Sequence, residues 1–127
     1  MNETFDRGMR VRREVLGDDH VNRAEANKSS FDHAFQSLIT ESAWGTVWAS
    51  DRITRRERSM LTIALLAATG SFDEIPMHIR ATDRTGASQE DISEVLQHVA
   101  IYAGVPKANH ALKIAKQTYA EIEEIEE

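Results

Sequence analysis

Apolar residues recur along this chain at spacings of three and four, and nowhere alternate with polar ones for long. That periodicity restricts the fold to packed helices. Two prolines and six glycines are the only strong punctuation in 127 residues, and no repeat or Gly/Ser-rich linker divides the sequence. The length suits one domain, read here as residues 1–127, that buries roughly two-thirds of the surface its unfolded chain exposes.

The pattern predicts about six helices. The first covers Glu3 to Glu14 and ends at Leu16-Gly17. A second opens at Ser29 or Ser30 and carries Phe31, Phe35, Leu38 and Ile39 on one stripe. It runs on through Glu41, Trp44 and Trp48, and Gly45 loosens or ends it. The third starts near Thr54 and stops at Gly70. Its centre, Met60 to Ala68, is apolar nearly all round, which places it inside a bundle or between subunits. A fourth spans Phe72 to Thr85, with Pro76 at the end of its first turn if Ser71 is the cap. Ser88 and Asp91 open the fifth as N-cap and third-position acid, Ile92, Val95, Leu96, Val99 and Ala103 form its stripe, and Gly104 ends it. Pro106 pre-sets the last helix, whose tail, Glu121 to Glu127, reads as a frayed acidic end. The expectation is an all-α single-domain bundle whose core extends into a subunit interface.

Fifteen Lys and Arg against 21 Asp and Glu give a net charge of -6. That balance opposes non-specific nucleic-acid binding, although a locally basic site can still hold a small anion. The absence of cysteine removes disulfides, thiolate metal sites and thiol catalysis. Met1 to Arg13 lacks the apolar core of a signal peptide, and Met60 to Ala68 is too short to span a bilayer. A soluble cytoplasmic protein with no membrane or nucleic-acid partner is expected. Five scattered histidines, none beside a carboxylate-rich ligand set, argue against a metal site.

The polar groups left for chemistry are few. Glu74 and His78 stand four apart, so on one helix they can meet, the carboxylate orienting the imidazole as a proton donor. The same spacing describes a surface ion pair worth under about 1 kcal/mol. Glu57 is in line with Met60, Leu61 and Ala64, at a cavity edge or as a first-turn acid beside Arg55, Arg56 and Arg58. His98, between Glu94 and Tyr102, and His110, after the Gly104-Val105-Pro106 turn, are each a pocket member or a core-edge histidine. Trp44 and Trp48 share a face, as substrate walls or as packing. None of these signals alone names a reaction.

Together the segments resemble a known family. Ile39-Thr40-Glu41-Ser42-Ala43-Trp44-Gly45-Thr46-Val47-Trp48, Arg55-Arg56-Glu57-Arg58-Ser59-Met60-Leu61-Thr62, Met77-His78-Ile79-Arg80-Ala81 and Gly104-Val105-Pro106-Lys107-Ala108-Asn109-His110-Ala111 are similar, in order, to motifs of the gamma-carboxymuconolactone decarboxylases. Gly8, Arg10, Leu16-Gly17, His20-Val21 and Ala24 fit the same family's opening. The wider superfamily includes alkylhydroperoxidase D-like proteins, whose Cys-x-x-Cys places are taken here by Ser71 and Glu74, so thiol peroxidase chemistry is excluded. Pro76 and Asp51-Arg52-Ile53 depart from the family pattern, and Pro76 bears on where His78 sits.

The resemblance implies an alkylhydroperoxidase D-like helical subunit in a ring-like homo-oligomer, commonly a hexamer. It implies cofactor-free conversion of 4-carboxymuconolactone to 3-oxoadipate enol-lactone and carbon dioxide, in the protocatechuate branch of the β-ketoadipate pathway. On that basis His78 is the expected acid or oxyanion donor, oriented by Glu74 or Glu57. Arg80, with Arg55 or a neighbouring arginine, is expected to clamp the substrate carboxylate. His98, His110, Trp44, Trp48 and Tyr102 are expected to complete the pocket. A relative acting on another lactone and a non-catalytic oligomeric binding protein are the competing readings.

Overall fold

The computed structural model describes residues 2–126 and divides the chain into two compact units, Met1–Thr54 and Arg55–Glu127. Among the described residues there are seven α-helices, one π-helix, one 3-10 turn and no strand. The all-α expectation holds, with one more α-helix than the periodicity suggested.

In the first unit, α1 (Glu3–Leu16) begins on Asn2, whose side chain accepts the Phe5 N–H at 2.7 Å, and ends on Gly17. Directly after it comes α2 (Asp18–Asn27), a polar helix that buries only Val21, too little for an apolar stripe to reveal it. Arg12 is buried and lies 3.5 Å from Glu25, which Lys28 approaches at 2.8 Å. Burial pulls the Arg12 guanidinium below its usual pKa, and Glu25 opposes that.

The expected second helix is two elements. A short α3 (His33–Ile39) starts at Asp32, not at Ser29 or Ser30. Asp32 instead accepts the backbone N–H of Ser29 at 2.7 Å, an interaction that holds its carboxyl below the ordinary range. The chain then widens into a π-helix over Thr40–Val47, closed by a Trp48 N–H to Ala43 carbonyl bond of 2.8 Å.

Glycine explains how α1 and the π-helix meet. A methyl group on Gly8 would run into the Thr40 carbonyl and stand 2.9 Å from the Gly45 nitrogen. One on Gly45 would strike the Thr4 carbonyl. The Gly45 carbonyl, in turn, accepts the Arg7 Nε–H at 2.9 Å.

The second unit is four helices: α4 (Arg55–Thr69), α5 (Ile75–Thr85), α6 (Gln89–Tyr102) and α7 (Val105–Glu126). Its core gathers Ile63 and Ala67 from α4, Ile75 and Ile79 from α5, Ile92, Val95, Leu96 and Val99 from α6, and Ala108, Ala111 and Ala115 from α7. Four of these isoleucines are fully buried, each contributing about 1.5–3 kcal/mol. Only one stripe of α4 is buried, whereas Leu61 and Leu65 are 55% and 63% exposed. Ser88 and Asp91 form the expected capping box of α6. The acidic tail is helical through Glu126, against the expectation of fraying, and Glu127 lies outside the described residues.

Candidate active site

His78 rides on α5, and the way α5 is held decides what it can meet. Gly70, at φ +77°, ends α4, and a 3-10 turn, Phe72–Glu74, brings the chain round from Ser71. That turn delays the α-helix, so Pro76 falls in the first turn of α5, where a missing N–H costs nothing. The proline therefore leaves the helix intact through His78.

On one flank, the buried Ser59 hydroxyl of α4 lies 2.7 Å from the Thr85 hydroxyl of α5. His78 is seven residues before Thr85, two turns away on the same face, so it belongs to the side of α5 that packs on α4. It is buried, 8% exposed, as are Ile75, Ile79, Ala81 and Thr82 of the same helix.

Arg80 belongs to the other flank. Two residues on from His78 it points about 200° away around the helix. Its Nη2 donates to Glu121 Oε2 of α7 at 2.9 Å, and Gln117 supplies Glu121 Oε1 with a second bond of 3.2 Å. A groove of about 370 Å³ on this side is lined by Arg80, Thr82, Asp83, Gln89 and Tyr119. The Tyr119 hydroxyl is buried, and burial raises its pKa. Thr82 is close enough to oppose that shift, yet its own hydroxyl donates to the Ile79 carbonyl and the pair is not a formed hydrogen bond.

The two carboxylates proposed to orient His78 are placed differently. Glu74 is the residue preceding α5; it is exposed, and its carboxylate has no hydrogen-bond or ion-pair partner among the described residues. Glu57 is in the exposed first turn of α4. With Ser59 level with Thr85 in the antiparallel hairpin, Glu57 and His78 are separated by roughly 13 Å along the helix axes at 1.5 Å per residue.

The arginines at the start of α4 also part ways. Arg56 makes two hydrogen bonds to Asp91, of 2.8 and 2.6 Å. Asp91, which also caps α6 by accepting the Ser88 N–H at 2.9 Å, is held far below the usual carboxylate range, chiefly by Arg56. Arg55 and Arg58 are half-buried, with the Arg58 Nε fully enclosed.

The remaining expected site residues form pairs. His98 and the 80%-exposed Tyr102 stack on the outside of α6 with centroids 4.8 Å apart. His110 packs against Phe72 at 4.0 Å. In the first unit, Trp44 and Trp48 are 6% and 7% exposed and tilt against each other at 5.2 Å. Among the described residues no cluster of His, Asp and Glu is arranged to hold a metal ion. Sequence reasoning missed Glu121, Phe72, Thr85 and the Arg56–Asp91 pair, all contacts between helices distant in sequence and with no local signal.

Several relatives and one family model match the chain. A 4-carboxymuconolactone decarboxylase of Acinetobacter baylyi is 38% identical over 94% of this chain and 90% of its own length. A nitrosuccinic acid decarboxylase of Metarhizium robertsii is 37% identical over 90% of this chain and 80% of its own length. A 4-carboxymuconolactone decarboxylase of Pseudomonas putida is 46% identical over 43 residues, 34% of this chain and 90% of that sequence. The carboxymuconolactone decarboxylase family model spans residues 33–117, from the start of α3 into α7, and the chain belongs to that family.

Proposed function

We propose that this chain is a carboxy-lyase that converts 4-carboxymuconolactone to 3-oxoadipate enol-lactone and carbon dioxide. The observation that carries the reading is the 38% identity to a decarboxylase of that name across nearly the whole of both chains. The chemistry needs little from the protein. The departing carboxylate sits on the gamma carbon of an unsaturated lactone, so the released electron pair flows through the ring double bond to the lactone carbonyl. The substrate is its own electron sink, and the role of a carbanion-stabilising cofactor is filled.

Three tasks remain: holding a dianion, stabilising the dienolate oxygen, and protonating the carbon alpha to the carbonyl. His78, buried on α5, serves as hydrogen-bond donor to the developing oxyanion and as the proton source. Arg80 is engaged by Glu121 on the far flank of α5, so clamping the substrate carboxylate would require it to leave that pair.

A second reading rests on the 37% identical relative named for nitrosuccinic acid: the same site would decarboxylate that acyclic dianion. The aromatic-acid pathway, a cytoplasmic location and a ring-like homo-oligomer are parts of the same proposal. Leu61, Leu65, Ile101 and Tyr102, each more than half exposed, give self-association an apolar surface to cover.

The test is loss of lactone absorbance, with substrate generated in situ by a cycloisomerase, chelator present and no cofactor added. Turnover that falls about 10²–10⁴-fold in His78→Ala establishes both reaction and donor. Near-normal turnover by folded His78→Ala removes the donor assignment, and no turnover by folded wild-type protein removes the substrate.

A further inference from the structure

The most anomalous surface of the molecule is α3 with the turn before it. Phe31 is 97% exposed, Phe35 61% and Leu38 59%, and no residue of α3 is buried. The three stand at spacings of four and three, which on a helical turn makes one apolar ridge. No Asp, Glu, Lys or Arg interrupts residues 33–40. A ridge of this kind left in water marks a contact that the single chain does not complete. Anchors at i, i+4 and i+7 are the pattern of a helix laid into an apolar groove.

Every copy also carries such a groove. It runs between α6 and α7, holds about 250 Å³, and has Leu96, Ala100, Val105, Ala108 and Leu112 in its wall. None of its eight lining residues is charged, in a chain of which 28% is. A charged segment would lose its hydration there with nothing to replace it, so the groove selects an uncharged one. A cavity of about 150 Å³ is enough for benzene, so this groove has room for one phenyl ring and part of a second side chain. The charges beyond the two apolar surfaces match as well. Asp32 and Glu41 bracket α3. Lys116, which forms no ion pair among the described residues, lies one turn beyond Leu112 along the same face of α7.

We infer that α3 of one copy docks in the α6–α7 groove of a second copy of this chain, with Phe35 as the central anchor and Phe31 and Leu38 on either side of it. Ridge and groove are different surfaces, so the contact is head-to-tail. Each copy gives its α3 to one neighbour and receives α3 from another, and the chain of copies closes into a ring where the rotation between them permits. Assembly of this kind is independent of the reaction proposed above.

Two variants, each checked for folding by circular dichroism, are compared with the full-length wild type by sedimentation velocity. The ridge variant is Phe31→Ser with Phe35→Ser, both at exposed positions. The groove variant is Leu112→Glu, at a 42%-exposed position, and Asn109→Glu, also exposed, takes its place should that protein misfold. Wild type is expected to assemble, and each variant to fall to a smaller species with its dissociation constant raised at least ~30-fold. An equimolar mixture of the two variants is expected to form a pair that neither makes alone, because the intact ridge of the groove variant meets the intact groove of the ridge variant. Wild type that stays monomeric overturns the inference, as does either variant that assembles like wild type. Two variants that dissociate and stay apart when mixed overturn it too, since ridge and groove then meet other surfaces and not each other.

Discussion

Replacing Gly8 by alanine sets two effects of opposite sign against each other, and the structure says which wins. Within α1, a 14-residue helix, exchanging glycine for alanine should stabilise by about 1 kcal/mol through helix propensity and a less flexible unfolded chain. Against that, the new methyl group would collide with the Thr40 carbonyl and stand 2.9 Å from the Gly45 nitrogen. Both obstacles are backbone, so no side chain can turn aside. Relief requires α1 and the π-helix to separate, which weakens the Arg7 to Gly45 bond and unpacks Trp44 and Phe5. Overpacking of that kind costs typically 1–3 kcal/mol when side chains can adjust, and more where backbone must move. The expected balance is a net loss of about 1–3 kcal/mol, or a fall in Tm of roughly 3–12 °C for a domain of this size. Thermal unfolding followed by far-ultraviolet circular dichroism at fixed protomer concentration measures it. Gly45→Ala, blocked by the Thr4 carbonyl, should behave alike, and the double variant should lose less than the two singles summed, because one separation relieves both clashes. A Gly8→Ala protein as stable as the wild type would refute the close-approach argument.

Three further outcomes follow from the second unit. Thr85→Val leaves the fully buried Ser59 hydroxyl without its partner and should cost about 1–3 kcal/mol in urea denaturation, most of it recovered when Ser59→Ala is added. Asp91 has a folded pKa below its unfolded one, so its contribution is fully present above about pH 4 and is lost as pH falls toward the folded value. The urea midpoint of wild type should therefore drop more steeply with acid than that of Asp91→Asn, and parallel curves would contradict the assignment. Arg80→Ala removes an exposed pair, so it should change stability by under about 1 kcal/mol and kcat less than His78→Ala does; an equal loss of kcat would place Arg80 in the pocket after all.

The sequence was informative where a residue's role is local and silent where it depends on a distant helix. Ser88 and Asp91 announced a capping box by their spacing, and Gly70 announced the end of α4. The second duty of Asp91, gripping Arg56 from 35 residues away, left no mark on either segment. α2 escaped notice because a helix that buries one valine has no stripe to read. The π-helix was half legible: Gly45 signalled a disturbance, but the sequence could not say that the chain widens instead of stopping. Glu74 and His78, four apart, read as partners on one helix. The 3-10 turn ends beneath Glu74, leaving the carboxylate exposed while the imidazole is buried.

Two independent attachments fix α5 and with it the place of His78, two residues after Pro76. The Ser59–Thr85 hydroxyl pair ties the end of α5 to α4, and the Arg80–Glu121 pair ties its middle to α7. Between them, Ile75 and Ile79 are fully buried, so rotating α5 would expose isoleucine and break a bond on each flank at once. His78 takes its direction from that frame, with Glu74 contributing no side-chain bond. Glu74, exposed at the residue before the helix begins, is therefore not what directs the imidazole. Glu74→Gln should accordingly leave kcat within a few-fold of wild type. A loss of the size expected for His78→Ala would show that a carboxylate orients the imidazole.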